Sequence, residues 1–224
     1  MKQTHRLART LLFCGLAALI LLAAPHSGSC AVLSPQELAA RLQARYEETV
    51  SLTADFQQQA TVPMSVRKRS GAGRLIIKKP GRIRWDYQAP DRQVLISDGN
   101  KVSMYFAQSR QMIVQPVSEY INSDITYSFF VGTGNIVRDF EVHPPQKSAE
   151  PGLQAIRLVP KKAHPQVDFL HVWMDGAYLI RRLEIVDHFG SVTELVFSNI
   201  VSNAPVAAEA FVFSPPPGTE IIEQ

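Results

Sequence analysis

The chain has 224 residues, with 23 Lys or Arg against 20 Asp or Glu, a formal charge of +3 and two cysteines. The basic excess sits at the N-terminus, where Lys2, Arg6 and Arg9 precede an apolar run over residues 11–24 and no acidic residue comes before Glu37. Without those three the charges balance, 20 basic against 20 acidic, so the charge gives no ground for a nucleic-acid ligand.

A basic segment, an apolar segment and then small residues make a secretory signal peptide. The apolar run falls short of the roughly 20 residues that a membrane-spanning helix needs. Ser29-Cys30-Ala31 places cleavage after Ala31, which leaves a single domain over residues 32–224. Cys14 and Cys30 both depart with the leader, so neither a disulfide framework nor a thiolate metal site is expected. Lipidation of Cys30 is the alternative; against it, Ser27 stands three residues upstream, where a lipidated Cys usually has Leu.

Ser34, Pro35 and Glu37 form a capping box with Pro at the first helical position. The helix runs to about residue 49, with Leu38, Leu42 and Tyr46 on one stripe. A first strand over 51–60 alternates around Leu52, Ala54 and Phe56. Residues 62–70 read as a polar, basic connection, and Leu75, Ile76 and Ile77 form a second strand up to the Pro80-Gly81 turn.

In the next strand Ile83, Trp85 and Tyr87 alternate with Arg82, Arg84 and Asp86, large apolar groups on one face and charges on the other. Ala89-Pro90-Asp91 breaks it, and Val94, Leu95 and Ile96 follow. Asp98-Gly99 is a strong hairpin signal, leading into Val102, Met104 and Phe106. Met112, Ile113 and Val114 add another strand.

From Pro116 the period becomes helical, through Val117, Tyr120, Ile125 and Phe129, and ends on Phe129-Phe130-Val131 before Gly132-Thr133-Gly134. One or two short helices with a glycine hinge, inserted over residues 116–138, would make a lid. Strands resume over 140–143, 153–159, 169–174, 179–186, 191–197 and 211–213, with a polar loop over 144–152. About eleven strands in hairpin order imply a large, strongly curved antiparallel sheet, mainly β with helices, that closes into a barrel or leaves a gap for the inserted helices to cover.

No catalytic constellation is visible. The sequence has no G-x-S-x-G elbow, no H-E-x-x-H and no glycine-rich loop opening a helix. His143, His164, His171 and His188 are scattered over loops and strand ends and read as surface or strand-edge residues. The chain is therefore not expected to be an enzyme, and neither a metal nor a cofactor is expected. What remains is apolar surface. Leu75, Ile77, Ile83, Trp85, Val94 and Ile96 on strands, with Met104 and Met112, would either form a plain core or line a cavity that Phe129 and Phe130 close. Soft Met and aromatic side chains on a curved sheet suit a disordered ligand such as acyl chains.

Several motifs in order carry a resemblance: Ala54-Asp55-Phe56-Gln57-Gln58, then Lys79-Pro80-Gly81-Arg82-Ile83-Arg84-Trp85-Asp86-Tyr87, Ser97-Asp98-Gly99, Phe130-Val131-Gly132 and the ending at residues 211–218. Over residues 32–224 the sequence resembles the LolA family of outer-membrane lipoprotein carriers. That resemblance implies an incomplete barrel of about eleven strands with a helical lid. It implies a monomer in the periplasm, acylated lipoproteins as cargo, an ATP-driven inner-membrane transporter that releases them and an outer-membrane acceptor. Lys79 stands where family members have an Arg that latches barrel to lid through backbone carbonyls. Lysine keeps the charge without the planar fork, so a different or weaker latch is expected here. The alternative is the membrane-anchored acceptor of the same fold, LolB, which lipid on Cys30 would favour. A sensor of mislocalised lipoproteins would need a second domain.

Overall fold

The computed structural model describes residues 33–224 apart from 64–67, 124–129, 131–133 and 148–149, and the side chains of 121–123. The predicted signal peptide lies outside the described residues, as do Phe129 and most of the expected glycine hinge.

Helix α1 (Pro35–Glu48) starts where the capping box places it. Glu37 N donates to Ser34 Oγ at 3.2 Å, and Ser34 N donates to the Glu37 carboxylate at 2.8 Å. Leu38, Ala39 and Leu42 form its buried face, while Tyr46 is half-buried. Six strands follow: β1 (Ser51–Thr61), β2 (Lys68–Lys78), β3 (Arg82–Ala89), β4 (Gln93–Asp98), β5 (Lys101–Phe106) and β6 (Gln111–Pro116). Two short helices, α2 (Val117–Ser123) and α3 (Ile136–Asp139), fall within the predicted insertion. The second half contributes β7 (Phe140–His143), β8 (Gln154–Pro160), β9 (Phe169–Met174), β10 (Ile180–Val186), β11 (Val192–Ser202) and β12 (Glu220–Glu223).

Among the described residues the twelve strands form one sheet in the order β12-β6-β5-β4-β3-β2-β1-β11-β10-β9-β8-β7. Every pairing is antiparallel except β12 with β6. The sheet curls steeply. Trp85 on β3 and Phe197 on β11 are three strands apart, about 14 Å in a flat sheet. Their ring centroids are 6.4 Å apart.

Three expectations are corrected. Residues 62–70 are not all connection, because β2 begins at Lys68 and pairs with β1 from Thr61 onward. The first residues of β2, Lys68-Arg69-Ser70-Gly71, are polar or glycine and leave no apolar period to read. The strand predicted over 211–213 is instead a 3-10 turn (Ala208–Phe211) and an extended tail. That tail crosses the sheet's outer face: Lys78 Nζ donates to the Val206 carbonyl at 2.7 Å, Arg84 donates to the Ala210 carbonyl at 3.2 Å, and the Phe213 ring lies 5.2 Å from that of Tyr105. The chain's last strand is therefore β12, laid on the edge of β6. His171, expected at a surface or strand edge, is 2% exposed. Its Nε2 accepts from Gln146 N at 3.4 Å, and its Nδ1 lies 3.5 Å from the Glu184 carboxylate. Burial holds its imidazole below the ordinary range, against the pull of Glu184.

Candidate functional site

The inner face of the curl is built by cross-strand register. Leu75 faces Trp85, Trp85 faces Leu95, and Leu95 faces Met104. Ile77 and Ile83 form the next row. Leu75, Ile77, Ile83 and Trp85 are buried, while Leu95 and Met104 pack half-buried against the same core. Phe130 roofs this face, with its ring 5.9 Å from Trp85 and 6.0 Å from Phe197, both edge-on. Edge-to-face pairs add roughly 1 kcal/mol each beyond the area they bury. Helix α3 fixes one side of the insertion to α1, because Ile136 N donates to the buried Gln43 Oε1 at 2.8 Å.

Between this roof, α1 and the sheet is an apolar cavity. Leu42 and Tyr46 of α1, Leu52 and Ala54 of β1, Leu75 and Ile77 of β2, Phe197 and Ile200 of β11, Phe130 and Lys79 line it. About 50 Å³ is open, room for one or two waters. Pockets that hold organic ligands span about 300–1,000 Å³. Taking up a lipid chain therefore requires the roof or α1 to move away from the sheet.

Not every predicted residue belongs here. Leu75, Ile77 and Phe130 line the cavity, and Ile83, Trp85 and Met104 extend the same apolar face. Val94, Ile96 and Met112 lie on the other face, in a separate cluster with Tyr105 and Phe213 beneath the C-terminal tail. Phe129 lies outside the described residues. Sequence reasoning missed Leu95, Ala54, Phe197 and Ile200. For Leu95 the signal existed. The Asp98-Gly99 hairpin pairs Ser97 with Val102, which sets Leu95 opposite Met104 and Val94 opposite Tyr105. Placing Met104 inside then requires Leu95 inside and Val94 outside. Arg84 and Asp86 do share the opposite face, where they pair at 2.8 Å, but the tail covers them and they are only 19% and 17% exposed.

Lys79 sits at the β2–β3 turn, on the cavity rim. Its Nζ donates to the Tyr46 carbonyl in the last turn of α1 and lies 3.3 Å from the centroid of the Tyr46 ring. A cation is favoured there by the helix dipole and by the ring face. The acceptor is a backbone carbonyl. Among the described residues the contact joins the sheet to α1, not to the predicted lid over 116–138. Burial pushes the ammonium down from the ordinary 10.5 to about 8, with Glu47 opposing the shift. A group that binds its proton more weakly when folded leaves the unfolded chain holding more protons between the two values. Stability relative to Lys79→Gln is thus expected to rise with pH from about 8 to about 10.5, and to be flat outside that window. Urea unfolding of both proteins on either side of the window checks this.

A family model described as outer membrane lipoprotein carrier protein LolA matches residues 47–214. The chain belongs to the LolA family. It is 30% identical over 181 residues to the outer-membrane lipoprotein carrier protein of Methylobacillus flagellatus, covering 81% of this chain and 86% of that one. To the protein of the same name from Methylibium petroleiphilum it is 31% identical over 171 residues, covering 76% and 82%. Among solved structures, an uncharacterized conserved protein from Thermus thermophilus aligns with a TM-score of 0.55 at 10% identity, covering 86% of this chain and all of that one. That last likeness concerns the fold alone. The LolA match spans the first long strand of the sheet, the cavity-lining strands and the insertion between β6 and β7, and it stops at Ser214, before β12.

Proposed function

We propose that this LolA-family chain is a periplasmic carrier that holds the acyl chains of lipoproteins in the cavity between the curled sheet and α1. It accepts them from a releasing transporter in the inner membrane and delivers them to an acceptor at the outer membrane. The observation that carries the reading is the cavity itself, walled by Leu52, Ala54, Leu75, Ile77 and Phe197 and roofed by Phe130. Acyl chains brought into such a space are stabilised by about 0.8 kcal/mol per buried CH₂ relative to water. Those walls would be a sticky patch if exposed, and Phe130 covers them. Transfer outward then needs only an acceptor that binds the chains more tightly than this protein does. No nucleophile–base pair takes part in the reading.

The test is release. The purified protein is added to spheroplasts that synthesise a radiolabelled outer-membrane lipoprotein, and the supernatant is assayed for a soluble complex. Release that depends on the added protein is expected. Its absence, with the protein folded and able to bind lipid, overturns the carrier reading. In the same assay Lys79→Leu is expected to lower the yield of soluble complex severalfold while the circular dichroism spectrum is unchanged, because the link between sheet and α1 is lost. Cargo release equal to the parent would remove Lys79 from the mechanism.

A further inference from the structure

The rim of the cavity carries two cations that an uncharged acyl anchor does not explain. Arg45 and Lys79 both line it, among walls that are otherwise largely hydrocarbon. Arg45 donates one guanidinium N–H to Ser202 Oγ at 2.8 Å, and its Nε is buried with no hydrogen-bond partner among the described residues. Among the described residues, the Lys79 ammonium holds only the Tyr46 carbonyl and ring. No carboxylate pairs with either cation among the described residues. The acid that acts on Lys79 is Glu47, an exposed residue whose carboxylate accepts from Gln43 Nε2 at 2.7 Å. Two cations beside an apolar space, one with an unused buried donor, are half of an ion-binding arrangement.

We infer that the cavity also takes a free anionic amphiphile, with its acyl chain along Leu75, Ile77 and Phe197 and its carboxylate or phosphate between Arg45 and Lys79. The inference rests on the cavity reading above. Ester and amide links in a lipoprotein anchor bring carbonyl acceptors but no negative charge, so they would leave both cations uncompensated. A free fatty acid or an acidic phospholipid supplies the charge and the chain together. In this structure the α1 carbonyl of Tyr46 takes the place of that anion at Lys79. When α1 moves to admit a chain, the ammonium loses this partner and the ligand head replaces it. A purely structural role for both side chains, complementing the C-terminal end of α1, would make no distinction between charged and uncharged ligands.

The experiment compares cis-parinaric acid with its methyl ester by fluorescence titration of the purified protein at neutral pH. The acid is expected to bind about tenfold more tightly than the ester, as one charge-assisted contact implies. Arg45→Gln with Lys79→Gln is expected to bring that ratio to about one, and Lys79→Gln alone to lower it about threefold. Arg45→Lys with Lys79→Arg, which keeps both charges, retains the preference. Equal binding of acid and ester by the parent, or a preference that survives in Lys79→Gln and in the double variant, overturns the inference and leaves the cavity reading intact. Failure of both probes to bind overturns both. Competition then separates the two sources: palmitate displacing the probe ahead of lysophosphatidylglycerol identifies a fatty acid, and the reverse order identifies a phospholipid.

Discussion

Gly73→Val is expected to destabilise the fold by at least about 3–5 kcal/mol, a large share of the roughly 5–15 kcal/mol that holds a domain together. Gly73 lies in β2 between Phe56 of β1 and Tyr87 of β3. A Cβ on Gly73 would stand 1.9 Å from the Asp86 carbonyl oxygen and 2.9 Å from Tyr87 Cα. Both are backbone atoms, so β2 and β3 could not keep their ladder. The missing side chain also serves packing. Across the vacant position the Phe56 and Tyr87 rings meet edge-on at 4.9 Å, and Tyr87 Oη donates to Gln58 Oε1 at 2.6 Å. The register of β2 against β3 shifts between Ala72 and Gly73, so the strand bends where the two aromatics close over it. Even Gly73→Ala should bring a large loss. Urea unfolding midpoints check both variants. A midpoint close to the parent's would mean that β3 can move away from β2 without disturbing the aromatic cluster.

Phe130→Ala is expected to shift the roof from closed toward open by about 3 kcal/mol, roughly a hundredfold in population, with a smaller change in global unfolding. Phe130 is 6% exposed, yet it belongs to the insertion and not to the sheet. Its contacts with Trp85 and Phe197 are what it contributes to closure, and truncation removes both. The sheet beneath keeps its own ladders and its α1 cover. The expected signature is increased 1-anilinonaphthalene-8-sulfonate fluorescence at unchanged urea midpoint, as apolar wall becomes accessible. An unchanged dye signal would assign closure to other parts of the insertion.

Much of this architecture was legible because local rules and long-range register agreed. The Ser34–Glu37 box fixed the start of α1, the alternation Ile83–Trp85–Tyr87 fixed the inner face of β3, and Asp98-Gly99 fixed the β4–β5 hairpin. The same hairpin carried the information that Val94 and Ile96 point outward, but a run of three apolar residues hides which face each one takes. Their burial on the outer face depends on the C-terminal tail, and a segment that lies across a sheet without joining its ladder has no periodicity of its own. The partner of Lys79 was equally hidden. A lysine before Pro80 announces a charge at a turn, but the carbonyl that accepts its bond belongs to a helix more than thirty positions earlier in the chain. Polar residues and glycines concealed the first half of β2, whose pairing is dictated by its neighbour β1.

Photo-crosslinking to cargo tests the central claim most directly. p-Benzoylphenylalanine is placed at Phe197, inside the cavity, or at Phe213, in the outer cluster, and each protein is loaded from spheroplasts with an acylated lipoprotein or with the same lipoprotein carrying Ser at its acylated cysteine. The account predicts crosslinks from position 197 to the acylated form alone, and none from position 213. Crosslinks from 213, or crosslinks at 197 that do not depend on acylation, would contradict it and place cargo recognition on another surface.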